Sequence, residues 1–292
     1  MNMKMNFIKL LPVLLLGACS TYQPQETAEQ QPTQQAEIAA PAPASARQAS
    51  VAAVAAVSKD NCLVGCPVGG SSQTLVRDAY TLNNNGATKF ANWVAYKMTS
   101  SSQASGRSRT WRQDPDLPAS DTLAPAAYTG ANAALAVDRG HQAPLAGLGG
   151  SSDWQSLNYL SNITPQKADL NQGAWVRLED KERTLSNSKT VYTVTGPLFE
   201  RNIATLPNAP SVQIPSGYWK ILFTGSSPAD GKFAAFVMDQ STPRNANFCN
   251  FQVTVSEIEQ KTGLTIWSAL PANVASTIKA QKGSLGSDLG CP

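Results

Sequence analysis

Asp138-Arg139-Gly140-His141-Gln142-Ala143-Pro144 contains the single histidine of a 292-residue chain. Imidazole is the side chain whose ordinary pKa lies near neutrality, so general acid or base work there falls first to His141. A lone histidine also excludes chemistry. Metal motifs of the H-E-x-x-H type need two, and a Ser-His-Asp hydrolase would have to use this imidazole without a G-x-S-x-G elbow, which the chain lacks. Arg139, two residues earlier, points to an anionic substrate, because guanidinium matches paired oxygens and stays charged.

Downstream, positions 171, 175, 178, 179, 182 and 183 recur at helical spacing within 170–183. Asn171 and Glu179 are therefore expected about 80 degrees apart on one helix face, with Trp175 between them. Such a face presents a neutral oxygen and a carboxylate to one place. Taken alone, Asn171 reads as a helix N-cap and Glu179 as a solvated carboxylate paired with Arg183. Strands are expected at 90–98, 191–194, 218–224, 233–239 and 248–255, the last with period-two alternation. A short strand at 135–137 should deliver His141 into a following loop, and 110–121, polar and proline-punctuated, should be loop. Ser256-Glu257-Ile258-Glu259 reads as a capping-box helix start that Gly263 stops. Irregularly mixed strands and helices indicate α+β, not a doubly wound sheet.

The segment 138–144 resembles the DRGHxxP signature of the DNA/RNA non-specific endonucleases, the ββα-metal (His-Me finger) nucleases. Asn158-Tyr159-Leu160-Ser161-Asn162-Ile163-Thr164-Pro165-Gln166 and Asn171-Gln172-Gly173-Ala174-Trp175-Val176-Arg177-Leu178-Glu179 also resemble that family, closest to its secreted branch. The likeness runs from about Asn61 to the C-terminus.

The resemblance implies an antiparallel sheet with helices, Mg²⁺ as cofactor with Mn²⁺ as a substitute, and a homodimer. It implies that His141 is the general base, Asn171 the metal ligand and Glu179 the group that orients water around the ion. Arg139 and Arg109 would clamp phosphate, with 109 chosen over Arg107 on the family's spacing. Arg183 and Gln166 become candidates for substrate contact, Asn162 for support of the metal site, and Asp138 for orienting the motif backbone.

The formal charge is +3, of which Lys4 and Lys9 supply two, so the remainder is nearly neutral. That excludes a protein that coats nucleic acid through a whole-surface field; phosphate must be gripped locally. Residues 1–18 read as a leader: lysines, an apolar run too short to span a bilayer, then small residues. Leu16-Gly17-Ala18-Cys19 resembles a lipobox, which makes Cys19 a lipidation site, and Ser20 after it favours the outer membrane, with free secretion as the alternative. Residues 19–58 are rich in Gln, Pro and Ala and cannot bury enough apolar surface to offset ordering, so they read as a flexible tether with a short helix conceivable at 46–57. Residues 59–292 form one domain, about 230 residues being enough for a substantial core.

Export leaves Cys62, Cys66, Cys249 and Cys291 in an oxidising compartment, where four cysteines allow three pairings. The resemblance implies Cys62 with Cys66 and Cys249 with Cys291. A zinc site is the rival, but no second closely spaced pair completes it.

The function expected is a Mg²⁺-dependent endonuclease that cuts DNA and RNA at any sequence and leaves 5′-phosphates. One rival is a catalytically silent nucleic-acid-binding lipoprotein on the same fold. The other is a narrower phosphodiesterase restricted to single strands.

Overall fold

Runs rich in aromatic and β-branched residues build the centre of the molecule. The computed structural model describes residues 61–292; the leader, Cys19, the tether and the helix at 46–57 lie outside them. In chain order the strands are β1 (Thr74–Val76), β2 (Thr81–Asn85), β3 (Phe90–Met98), β4 (Val137–His141), β5 (Ile163–Lys167), β6 (Val191–Leu198), β7 (Thr205–Leu206), β8 (Ala209–Gln213), β9 (Gly217–Thr224), β10 (Lys232–Asp239) and β11 (Gln252–Val253). Seven of them form an antiparallel sheet in the order β1-β2-β3-β6-β9-β10-β11, while β4 pairs with β5 and β7 with β8. The helices are α1 (Ala131–Leu135), α2 (Leu145–Leu148), α3 (Ala168–Leu170), α4 (Val176–Ser186), α5 (Val255–Thr262), α6 (Ala272–Lys279) and α7 (Leu285–Asp288).

Strand β9 is buried along its whole length, so its period-two alternation feeds two cores. Tyr218 and Leu222 join Tyr96, Phe236, Trp175 and Leu178 on the face that α4 covers. Trp219, Ile221 and Phe223 join Trp93, Trp267, Val255 and Ile258 on the face that α5 covers. A third core, with Tyr128, Val137, Leu160 and Ile163, lies under the β4–β5 pair. An antiparallel sheet with helices on both faces is the α+β architecture expected.

Three local expectations need correction. The strand near 135–137 begins only at Val137, because Leu135 closes α1 and Ala136 turns the chain in a left-handed conformation (φ 51°). His141 therefore sits in β4 itself, opposite Ile163. The strand at 248–255 is mostly absent: Asn247 Oδ1 accepts from Cys249 N at 3.0 Å and starts a 3-10 turn, Phe248–Phe251, leaving only Gln252 and Val253 to pair with β10. The following helix begins two residues earlier than expected. Thr254 caps it by accepting from Glu257 N at 3.2 Å, and Glu257 Oε2 accepts from Thr254 N at 2.6 Å, which lets Val255 and Ile258 enter the core. Gly263 ends it in the left-handed conformation, as expected.

The cysteines pair as Cys62–Cys66 and Cys249–Cys291, with sequence separations of 4 and 42. Loop-closure entropy makes the wider bridge worth about 4 kcal/mol against about 2 for the narrow one. Thermal unfolding of Cys249→Ser/Cys291→Ser should accordingly show a clearly larger loss than Cys62→Ser/Cys66→Ser; equal losses would contradict this account.

Candidate active site

A cleft of about 770 Å³ opens between the β4–β5 pair and α4. It gathers Arg109, Arg139, His141, Asn171, Glu179 and Arg183 on its walls, together with Trp111, Tyr128, Asp138 and Gln172. Residues spread over some 75 positions of the chain thus meet through two short strands and one helix.

His141 is half-buried at the end of β4. Its Nε2 lies 3.3 Å from Asn158 Oδ1, and Asn158 Nδ2 donates to Ser108 O at 3.0 Å. Because the Asn158 amide nitrogen is committed to Ser108, its oxygen must face the imidazole, and Nε2 carries the proton. That leaves Nδ1 unprotonated and able to accept. Trp111 lies over the ring with centroids 5.4 Å apart. The loop at 110–121 reaches there because Arg112 N donates to Asn158 O at 3.2 Å and Leu160 N donates to Arg112 O at 2.9 Å. Burial above all pushes the imidazole down to about 4; the Asn158 hydrogen bond opposes this, and the nearby Arg109 charge adds a smaller lowering.

Gly140 beside the histidine is required by close packing: a Cβ there would come within 2.5 Å of Gln166 Oε1. Gln166 is buried behind β4 and does not line the cleft. Neither does Asn162, whose side chain is fully enclosed, accepts from Ala143 N at 2.8 Å, and donates to Ala143 O at 3.0 Å and Leu157 O at 2.9 Å. It braces the turn that follows His141.

Arg139 stacks between aromatic faces, its guanidinium carbon 5.1 Å from the Tyr128 ring centre and 5.6 Å from that of Trp111. One long contact, 3.5 Å to Pro125 O, is its hydrogen bond to protein, so most of its donors remain for a ligand. Arg109 is exposed on the cleft rim. Arg107 instead commits its guanidinium to Gly149 O at 2.7 Å and to the Trp154 face at 4.6 Å. Arg183 faces the cleft but is ion-paired with Asp180, not with Glu179.

The segment carrying Asn171 and Glu179 is not the continuous helix expected. Asn171–Trp175 forms a π turn with Gly173 out of helical geometry, and the backbone of Arg244 packs where a side chain would stand: a Cβ at Gly173 would meet Arg244 O at 2.6 Å. Asn171 is helical and does not act as an N-cap. Its Nδ2 donates to Asp138 Oδ2 at 3.0 Å, which also accepts from Gln172 Nε2 at 2.8 Å, and Asn132 Nδ2 donates to Asp138 Oδ1 at 3.3 Å. Asp138 thereby fixes the Asn171 amide plane, so the Asn171 oxygen is the atom of that amide left for another ligand. Glu179 Oε1 accepts from Trp175 Nε1 at 3.1 Å. Burial raises the Glu179 carboxyl above its ordinary pKa, and Lys220 at 3.6 Å opposes this.

Among the described residues no three His, Cys, Asp or Glu side chains converge as a metal site. A transition-metal cage is not what these walls offer. One amide oxygen with a carboxylate nearby suits a hard cation that keeps most of its water and takes phosphate oxygens to complete its shell.

Sequence reasoning missed Asn158 as the partner of His141, Trp111 as its cover and Lys220 behind Glu179. Asn158 lay in a quoted motif; the other two carry no local signal.

Residues 57–273 match the family model described as DNA/RNA non-specific endonuclease. The chain is 61% identical over 237 residues to the "Nuclease" of Serratia marcescens, covering 80% of this chain and 89% of that protein. It is 28% identical over 220 residues to "Endonuclease G, mitochondrial" of Homo sapiens, covering 67% and 69% respectively. A chain in the crystal structure of an EndoG/EndoGI complex superposes with a TM-score of 0.63 at 22% identity, covering 77% of this chain and 96% of that one.

Proposed function

This chain belongs to the DNA/RNA non-specific endonucleases, with their α+β ββα-metal fold, and from that membership we propose a Mg²⁺-dependent hydrolase that leaves 5′-phosphates, with His141 as general base. The observation that carries the reading is the imidazole with Nε2 committed to Asn158 and Nδ1 open, in one cleft with Asn171 and two arginines.

Hydrolysis needs an activated water, charge stabilisation around phosphorus and a stabilised leaving oxygen. His141 Nδ1 takes the proton of the attacking water, and its depressed pKa keeps it in the accepting form. Arg139, pre-set between Trp111 and Tyr128, and Arg109 on the rim hold non-bridging phosphate oxygens. The Asn171 oxygen, oriented through Asp138, would hold the cation, and Glu179 would accept from water around it. Bound there, Mg²⁺ would neutralise charge on the phosphate and the departing 3′ oxygen.

A site that grips phosphate and backbone without testing base edges or the 2′ position cuts any sequence and treats DNA and RNA alike. Digestion of plasmid, single-stranded DNA and RNA, with and without EDTA, tests this reading. Cleavage of all three, abolished by EDTA and yielding 5′-phosphates, is the expected result. Cutting of single strands alone would favour the narrower phosphodiesterase, and no cutting the silent binder.

The pH profile follows from the imidazole. A base with its pKa lowered to about 4 stays competent through mild acid and is lost as pH falls through that value. The acid limb of kcat/KM should therefore lie well below the 6.5 of free imidazole. A limb at or above that value would remove the burial argument.

The same proposal extends to the chain outside the cleft: residues 59–292 as one catalytic domain, a homodimer, and a leader ending before a lipidated Cys19 with residues 19–58 as tether. Two or more acyl chains anchor far more firmly than one. Fractionation of wild type beside Cys19→Ser decides; a soluble wild type with an unmodified amino terminus would leave free secretion.

A further inference from the structure

Alternation along β9 turns Lys220 toward α4, into the apolar face that holds Tyr218 and Leu222. Its ammonium is wholly enclosed. A buried cation persists only where anions and hydrogen bonds replace its water. Here Glu182 Oε2 lies at 3.3 Å, Tyr96 Oη at 3.1 Å, and the Trp175 ring centre at 5.0 Å. Glu182 is itself fully enclosed and accepts from Thr193 Oγ1 at 2.6 Å and Tyr96 Oη at 3.2 Å. Glu182 alone already supplies one countercharge for Lys220.

The ammonium nevertheless also lies 3.6 Å from Glu179 Oε1, whose side chain is 14% exposed and borders the cleft. Glu179 and Glu182 are three residues apart on α4 and repel each other. Lys220 stands between them, so the network has one end in the core and one at the site. We infer that Lys220 is a positioning residue for phosphodiester cleavage: from behind the cleft wall it holds the Glu179 carboxylate, with Trp175 Nε1 as the second clamp, in the place where it meets water around the metal.

The inference rests on the role given to Glu179 above. Without Lys220 the Glu179 carboxylate loses its buried cation and keeps only Trp175 Nε1 in a poorly solvated space, whether residue 182 is Glu or Gln, so it must swing away or accept a proton. Either removes an oriented anion from the site.

Lys220→Met alone leaves Glu182 buried without a partner and threatens folding, so the informative variant is Lys220→Met/Glu182→Gln, in which both buried charges are removed. Four quantities are read on the full chain: thermal midpoint, Mn²⁺ binding by calorimetry in the absence of nucleic acid, and kcat and KM on duplex DNA. The double variant should fold, bind Mn²⁺ about tenfold or more weakly, and lose at least about tenfold in kcat with KM within twofold. Lys220→Arg, which keeps the charge, should recover at least threefold of the lost kcat and supplies the test if the double variant does not fold. Lys279→Met is the control, since Lys279 pairs with Glu259 at 2.7 Å in a buried position away from the cleft. It should lower the midpoint while Mn²⁺ binding and kcat stay at wild-type values.

Wild-type Mn²⁺ affinity and kcat in the double variant would overturn the inference and leave Lys220 a core residue, as would a folded Lys220→Arg with kcat no higher than that of the double variant or, should that variant not fold, more than about tenfold below wild type. Glu179→Gln run in parallel separates the two levels: if it is fully active, the role given to Glu179 falls. If it is inactive while the double variant is wild-type, only the part given to Lys220 falls.

Discussion

His141→Ala should lower kcat on duplex DNA by about 10³-fold, within the range that loss of a general base produces, and should leave the thermal midpoint and DNA binding near their wild-type values. Proton abstraction belongs to the chemical step, whereas the proposed phosphate clamps, Arg109 and Arg139, do not depend on the imidazole. The ring is half-buried and makes one side-chain hydrogen bond, to Asn158, so truncation removes little from the core. Single-turnover rates on a short duplex, with binding measured separately, check this. More than a few per cent of wild-type activity would mean that another group activates the water, and no other histidine exists to do so.

Asn171→Ala should have the second-largest effect, a loss of about 10²-fold in kcat with a higher Mg²⁺ requirement, the size expected when a metal ligand or its orienting partner is removed. The side chain is fixed by a 3.0 Å hydrogen bond to Asp138, so on the proposed reading its oxygen would be pre-aimed and would need no reorganisation to hold the ion. Removing it leaves a site of waters, phosphate and Glu179, which excess Mg²⁺ fills in part. Activity titrated against Mg²⁺ gives the answer: an unchanged midpoint would move the ligand to another residue. Lost activity with an unshifted thermal midpoint would separate this from damage to the π turn.

Much of the cleft is legible from residues alone. The aromatic runs at 90–98, 218–224 and 233–239 emerge as strands because each carries enough apolar surface to be buried whatever its neighbours are. Glu179 and Asn171 both face the cleft, although the regular helix that led to that expectation is interrupted at Gly173. Periodicity pointed to the right face, but the interruption packs against Arg244, some 70 positions away, which no local pattern contains. The alternation at 248–255 misleads for a related reason: the cap at Asn247 and the bridge to Cys291 divert the chain before it can pair.

By itself the sequence determined the single histidine in its Asp-Arg-Gly-His frame, the charged and amide side chains available to a phosphate, the family, and the α+β class. These depend on residue identity and on short-range spacing, which one chain displays directly. Tertiary structure alone decided the protonation of His141 through Asn158, its cover by Trp111, the aim of Asn171 through Asp138, and the buried Lys220 behind Glu179. Each of these is a contact between side chains far apart in sequence, governed by distances of a few ångströms and by exclusion of water, and the same residues at the same spacings would have none of these properties in a solvated chain.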